Sequence, residues 1–510
     1  MGLSILDIAA FAAFFAAVIG ISLYKAREEK TETDYFLAGR GLGLWLVGFS
    51  LIASNISTEH FVGMAGAGFG NMGLAVASYE WMAAVTLVLV GLLLLPRFLR
   101  CGIYTIPEFL EYRYSRACRA IMAVFMMVMY VAVALASILY SGALGMRTIF
   151  GMDLMTGVWL IGLIAGAYTV YGGLKAVVWT DLFQGAALLI GGAVVMVLGF
   201  QAVGGVGSFL RANAGKLHMI MPADHPEIPW TALVLGLWIP NIFYWGLNQF
   251  IVQRTLAARS VQAGQEGIVL AALLKLLIPF IIIFPGIMAF QLYAGRIANG
   301  DLAYPTLIRE ILPAGLRGML FAALFGAVLS SLDSMLNSAS TIFTMDLYKR
   351  HIRPGASPRH LVNAGRIATG AFVLVACLIA PNLNDPRFGG IFKYIQMFQG
   401  FISPGIVTVF LFGLIVPKAP PAAVVAGLLG NIPIYGLLLW LLPNVAFLNH
   451  MAITFLALTA VMAAITLARP LREPVKLPVN ADISMKPSAL AKVAGACIIA
   501  VVIGLYVVFW

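Results

Sequence analysis

Fourteen stretches of this chain are each apolar over about the 20 residues a helix needs to cross a bilayer, and that repetition limits the fold more than any other feature. They fall near 4–24, 43–68, 74–96, 119–149, 154–172, 176–201, 229–252, 266–295, 317–344, 364–384, 392–416, 421–443, 450–468 and 491–510. Backbone groups in hydrocarbon find no water to bond, so each stretch closes its own hydrogen bonds as a helix. With 61% hydrophobic and only 10% charged residues, the chain has too little polar surface for soluble globular domains, and disorder, disulfide scaffolds and cytosolic enzymes are excluded. The first apolar run follows Met1-Gly2-Leu3-Ser4 with no basic segment before it, so it reads as a retained span.

The net charge of +11 comes from 32 Lys and Arg scattered through short loops. Assigned to alternate sides, 23 of them fall on one side and 8 on the other, with Lys275 inside a span. The positive-inside rule makes the first side cytoplasmic. Both termini are then external, in agreement with an even number of spans, and the expected home is the cell (plasma or inner) membrane. The bilayer itself is the expected partner; nucleic acid is not, because the charge is not gathered in a patch, and nothing points to an obligate protein partner. Cys101, Cys118, Cys377 and Cys497 lack the spacing of a disulfide framework or a zinc site.

Two spans are interrupted. Ser54-Asn55-Ile56-Ser57-Thr58-Glu59-His60 places a polar run inside 43–68, with a series of glycines after it. Five spans later, Pro240 and Asn241 sit at the middle of 229–252, followed by Tyr244, Trp245, Gly246, Asn248 and Gln249. Interruptions at matching places in two halves point to inverted repeats with a binding site where the broken helices meet. The expected layout is an extra helix and cytoplasmic loop at 1–42, repeats of five helices at 43–201 and 229–416 joined by an external loop at 202–228, and three further helices at 417–510.

Ionisable groups inside spans are costly, about 2.5–3.5 kcal/mol each on insertion scales, so Glu59, His60, Glu80, Asp181, Lys275 and Asp333 require partners or water. Glu80 and Lys275 could serve only as a buried strut, and Asp181 could be a shallow, solvated carboxylate near Lys175. Ser330, Asp333, Ser334, Asn337 and Ser338 form one stripe at helical spacing. Such a stripe either bonds helix to helix or, beside carbonyls freed by a broken helix, supplies oxygens for a small cation. Asp333 could strengthen that site, build a second one, or carry a proton.

Asn55, His60, Glu80, Asn241, Lys275 and Gln396 offer donors and acceptors, while Tyr244 and Trp245 offer ring faces. A polyhydroxylated ligand needs this mixture, because each unpaired buried hydroxyl costs about 1–3 kcal/mol and the C–H face of a pyranose packs on a ring. A Tyr-Trp pair is also compatible with plain packing. Gly68-Phe69-Gly70-Asn71-Met72-Gly73 matches a nucleotide-binding pattern by letter but ends a span with no strand before it. No nucleophile–base constellation is evident, so an enzyme is not expected.

Ser50-Leu51-Ile52-Ala53-Ser54-Asn55-Ile56-Ser57, Tyr171 through Asp181, and Ser330-Ser331 through Thr344-Met345-Asp346 resemble the sodium/solute symporter family, and within it the sodium/sugar cotransporter branch. The resemblance covers essentially the whole chain. It implies an all-α integral membrane protein with a LeuT-like 5+5 inverted repeat and about 14 transmembrane helices. It further implies a sodium site from the carbonyls of Ala53, Ile56 and Ala327 with the hydroxyls of Ser330 and Ser331, and a second cation site, found in some branches, around Asp181, Ser334 and the position of Asp333. Asp333 departs from the Ser, Thr or Ala usual there.

For sugar, the resemblance implies Asn55, His60, Glu80, Asn241, Tyr244, Lys275 and Gln396. Gating falls to Tyr244 with Trp245 on the inner side and to Met64, Tyr79 and Phe392 on the outer. His60 is similar to the mammalian glucose carriers of the branch, whereas Ala83 and Ala134 lack polar groups that bacterial galactose carriers have there. The expected function is a sodium-coupled symporter importing a hexose or related polyol by alternating access, with Na+ as coupling ion and no organic cofactor. Proton coupling through Asp333, or sodium coupling to a different small polar solute, are the alternatives.

Overall fold

The computed structural model describes residues 4–26, 36–57, 59–384, 391–480 and 483–510. The basic loop at 27–35, Arg387, and the side chains of Lys25, Lys175 and Phe392 lie outside the described residues. Among those residues the chain is helical, with three isolated bridges in place of any sheet. Among the described residues ten helices are long and apolar enough to cross a membrane, or eleven if the bent pair Lys393–Gln399 and Ser403–Ile415 is one span. Ile5–Phe14, Leu44–Asn55 and Leu154–Ala167 are shorter apolar helices.

Seven helices position the site: α1 (Ile5–Ala26), α2 (Leu44–Asn55), α3 (Ser78–Leu89), α4 (Leu154–Ala202), α5 (Gln249–Leu256), α6 (Val261–Tyr293) and α7 (Leu316–Ile342). Their starts are written locally. Asp153 caps α4 and Ser260 caps α6, each side chain accepting the orphan amides of the first turn. Pro279 and Pro285 lie inside α6; the Ile281 carbonyl that Pro285 leaves free accepts from Tyr304 Oη at 3.1 Å. On α1, Asp7 accepts from the amides of Gly315 and Gly318 at 2.8 and 2.9 Å and from Arg317 at 3.0 Å, docking the N-terminal helix on the start of α7.

Three features depart from the sequence expectation. The expected spans 154–172 and 176–201 run on as the single helix α4 of 49 residues. Tyr-Gly-Gly-Leu-Lys between them holds no proline, and the backbone stays helical through both glycines. Its 49 residues are enough for two crossings, and its two apolar parts, Leu154–Ala167 and Val177–Ala202, correspond to the two expected spans. The interruption in 229–252 lies at Asn248 (φ −88°, ψ 118°), beyond Pro240 and Asn241. Pro240 occupies the third position of the short helix Trp238–Ile242, where a helix has no partner for its amides in any case. A further bend of 45° separates Lys393–Gln399 from Ser403–Ile415.

The first break falls where the polar run predicts it. α2 ends at Asn55, Ile56 is extended (φ −72°, ψ 108°), and the chain resumes as a π-helical turn over Glu59–Met64 and the helix Ala65–Phe69. Another of the chain's π-helical segments, Phe243–Leu247, precedes Asn248. Such turns concentrate at functional sites because they free backbone groups and re-aim side chains.

Candidate functional site

A cavity opens between the two broken helices and the bent span. It is lined by Asn55, His60, Glu80, Asn241, Tyr244 and Gln396 of the expected ligand set, by Met64, Tyr79 and Trp245 of the expected gates, and also by Glu59, Pro240 and Gln399. A second cavity shares Asn55, Glu59, Tyr244, Gln396 and Gln399 with the first and continues past Tyr130, Asn248 and Phe250 to Ser331. Tyr244 therefore stands between the two spaces, its ring edge-on to Trp245 at 5.0 Å and to Phe250 at 5.3 Å.

Lys275 does not line either cavity; it lies behind the first one, fully buried, and donates to Asn55 Oδ1 and Glu80 Oε2. Its ammonium also lies 4.9 Å from the centre of the Trp245 ring. Asn55 is thereby oriented with its amide nitrogen 3.0 Å from Tyr244 Oη, to which it donates. His60 Nδ1 accepts from the Ser57 amide at 3.4 Å, leaving Nε2 as the N–H that faces Glu80 Oε1 at 3.4 Å. The buried Glu80–Lys275 pair thus fixes three further polar side chains, Asn55 of α2, His60 of the π turn after it and, through Asn55, Tyr244 of the second broken helix. Buried charges persist only when paired and bonded in this way.

The break in α2 also exposes the other chemistry expected there. Ile52 keeps its helical partner, its carbonyl accepting from the Ile56 amide at 2.8 Å, whereas the Ser57 amide turns from the Ala53 carbonyl to His60 Nδ1, and Ala53 and Ser54 both lie in the last turn of α2, where carbonyls lose their helical partners. Ser330 Oγ reaches Ala53 O at 3.5 Å and Ser331 Oγ reaches Ser54 O at 3.4 Å, both across from α7. Carbonyls at the negative end of a helix dipole, faced by hydroxyls, form an oxygen cluster suited to a cation. The structure brings together Ala53, Ser330 and Ser331 of the expected set, with Ala327 one turn earlier on α7.

Asp181 is not shallow. It is fully buried and accepts from Ser50, from Ser54 at 3.2 Å, from Ser330, and from Arg254 Nη2 at 3.4 Å. Arg254 also donates to Ser50 Oγ at 2.9 Å, to Ser334 and to the Phe250 carbonyl. The positive charge between Asp181 and Ser334 is therefore the guanidinium of Arg254, which the charge count assigned to a cytoplasmic loop. Asp333, the third member of the expected second cation site, accepts instead from Thr169 Oγ1 on α4.

Two further functional candidates lay within reach of the sequence. Gln399 stands three residues after Gln396 on the same helix face and donates to Pro240 O at 3.5 Å, and Glu59 lines both cavities. Arg254 gave no such signal, because Gln249, Gln253 and Arg254 look like the polar edge of a loop.

Comparison with known proteins accords with this geometry. The family profile described as the sodium:solute symporter family matches residues 35–430. The sodium/glucose cotransporter of Vibrio parahaemolyticus is 42% identical over an alignment spanning 100% of this chain and 99% of that protein. Sodium/myo-inositol cotransporter 2 of Mus musculus is 35% identical, with 85% of this chain and 69% of that protein covered. A solved Na+-coupled sialic acid symporter in a substrate-bound outward-open state shares the fold, with TM-score 0.81 at 23% identity over 93% of this chain and 99% of that one.

Proposed function

Because the chain belongs to the sodium:solute symporter family, a family of secondary transporters and not of enzymes, we propose that it couples the inward movement of sodium to import of a sugar, a hexose or related polyol, by alternating access. The observation that carries this reading is that one broken helix serves both sites. The carbonyls of Ala53 and Ser54 end α2 against Ser330 and Ser331, and the next residue, Asn55, turns into the cavity with His60 close behind.

Sodium held by the carbonyls of Ala53, Ile56 and Ala327 and the hydroxyls of Ser330 and Ser331 ties α2 to α7 and fixes the angle at which Asn55 and His60 meet solute. The coupling is reciprocal: if sodium raises solute affinity, solute raises sodium affinity by the same factor. Asn55, His60, Glu80, Asn241 and Gln396 supply hydrogen bonds around a ring of hydroxyls, and Tyr244 offers a face to its C–H side. Lys275 acts on the sugar through Asn55 and Glu80. Movement of Tyr244 joins the two cavities and opens the inward path, while Met64, Tyr79 and Phe392 close the outward one.

The protein sits in the cell membrane with both termini external and its two five-helix repeats related by inversion, in accord with the distribution of basic loops. Labelled glucose, galactose and myo-inositol offered to proteoliposomes under an imposed sodium gradient test the proposal: sodium-dependent accumulation of one of them supports it. Accumulation driven by a proton gradient alone transfers the coupling role to a carboxylate, Asp333 first.

A further inference from the structure

The bent span Lys393–Gln399 and Ser403–Ile415 carries Gln396 and Gln399 into the cavity. Its break at Gly400–Ile402 is held from outside by one helix, Pro421–Leu441, which lies beyond the two expected repeats. Asn431 Oδ1 accepts from the Gly405 amide at 2.9 Å and Asn431 Nδ2 donates to the Gly400 carbonyl at 3.3 Å, bridging the two sides of the bend. One turn on, Tyr435 Oη donates to the Met397 carbonyl at 3.1 Å. The Gly400 carbonyl and the Gly405 amide are backbone groups that the bend leaves without their ordinary partners, and inside a membrane no water replaces them; the Met397 carbonyl, which also accepts from the Gly400 amide at 3.1 Å, gains a second bond.

Packing fixes the same register. A Cβ on Gly400 would lie 2.4 Å from Tyr435 Oη, and one on Gly405 would lie 2.9 Å from Asn431 Cβ, so each glycine admits the side chain that bonds beside it. The Tyr435 ring stands edge-on to Phe401 at 4.9 Å and to His450 at 6.4 Å. Asn431 and Tyr435 are four residues apart, hence on one helix face, and both are buried.

We infer that Asn431 and Tyr435 are positioning residues for the solute site: they set the bend that aims Gln396 and Gln399 at the cavity without touching solute. The inference rests on the reading of that cavity as the solute site, and its test includes a measurement independent of any solute.

Cys101, Cys118 and Cys377 are buried and Cys497 is exposed, so a Cys497→Ser background carrying Gln396→Cys gives a reporter on the bent span. A parallel Met64→Cys protein reports on the first broken helix in the same cavity. The rate of modification by a water-soluble methanethiosulfonate in proteoliposomes is measured with and without Tyr435→Phe, which removes only the hydroxyl, and Asn431→Ala. Each should speed reaction at position 396 threefold or more and leave position 64 within twofold. An unchanged or slower rate at 396, or an equal rise at both positions, overturns the inference.

In the cysteine-free-surface background with Gln396 intact, Tyr435→Phe should also raise the KM of whichever of glucose, galactose or myo-inositol is transported by about threefold to tenfold. Sodium binding without solute, followed by tryptophan fluorescence, should not change. Transport of none of the three contradicts the proposed solute and leaves the labelling result to decide the role of the bend.

Discussion

Arg254 and Asp181 form an ion pair at 3.4 Å in which neither side chain is exposed to solvent. The pair joins α5 to α4 next to the Ser330 hydroxyl, which also bonds Asp181, so the charge balance of the expected second cation site is set by a fixed guanidinium. Removing one partner strands the other in a medium that cannot solvate it.

Arg254→Met should accordingly destabilise the protein by about 3–5 kcal/mol, the range for breaking a buried pair. Arg254→Met with Asp181→Asn should recover most of that loss, because no uncompensated charge remains. Thermal unfolding in detergent checks both; a double variant no more stable than Arg254→Met would mean that the pair is not the source of the effect.

Ser331→Ala removes one hydroxyl from the oxygen cluster at the end of α2 while leaving Ser330 on Asp181. Loss of one such ligand is worth about 1–3 kcal/mol, which corresponds to roughly a fivefold to hundredfold rise in the sodium concentration for half-maximal uptake. Uptake measured across a sodium series tests this, and an unchanged half-saturation excludes Ser331 from the cation site.

Glu80 and Lys275 separate structure from transport. Either Glu80→Gln or Lys275→Met leaves the partner buried and unpaired, and each should lose about 3–5 kcal/mol of stability. The double variant should regain stability yet remain without uptake, since Glu80 lines the cavity and Asn55 loses the donor that orients it. Restored uptake in the double variant would reduce the pair to a strut.

Asp301, in the loop between α6 and α7, is pushed up by burial from 3.8 to about 6. The folded protein therefore holds a proton there that the unfolded chain has already released, and native stability declines as pH rises from about 4 to about 6. Asp301→Asn should be more stable than the parent at pH 7 and indistinguishable from it at pH 4. Melting temperatures at both values check this; an equal gain at the two would point to packing instead of charge.

Much of this arrangement was legible in the sequence because polar residues in a membrane span are scarce and expensive. The run from Ser54 to His60 announced the first break to within a residue or two, and Asn55, His60, Glu80, Asn241, Tyr244 and Gln396 do share one cavity. What the sequence hid is set by tertiary contact. Pro240 marked a break that falls at Asn248, because a proline early in a short helix costs no hydrogen bond. Arg254 resembled a loop residue until Asp181, 73 positions away, supplied its partner. Gln399, Gly400, Ser403 and Pro404 mark the bend in the sequence, but the side chains that hold it, Asn431 and Tyr435, lie on another helix. The apolar runs on either side of Lys175 implied two separate helices, whereas the helical backbone runs on unbroken between them as α4.

The central claim is that a sodium gradient drives sugar through the cavity bounded by Tyr244. The most direct measurement is accumulation of labelled glucose, galactose and myo-inositol in proteoliposomes under an inward sodium gradient, with a proton gradient of equal size as control. The account predicts that at least one of the three accumulates with sodium and not with protons alone, and that accumulation is lost in Glu80→Gln. Accumulation with protons alone, or of none of the three under either gradient, would contradict it.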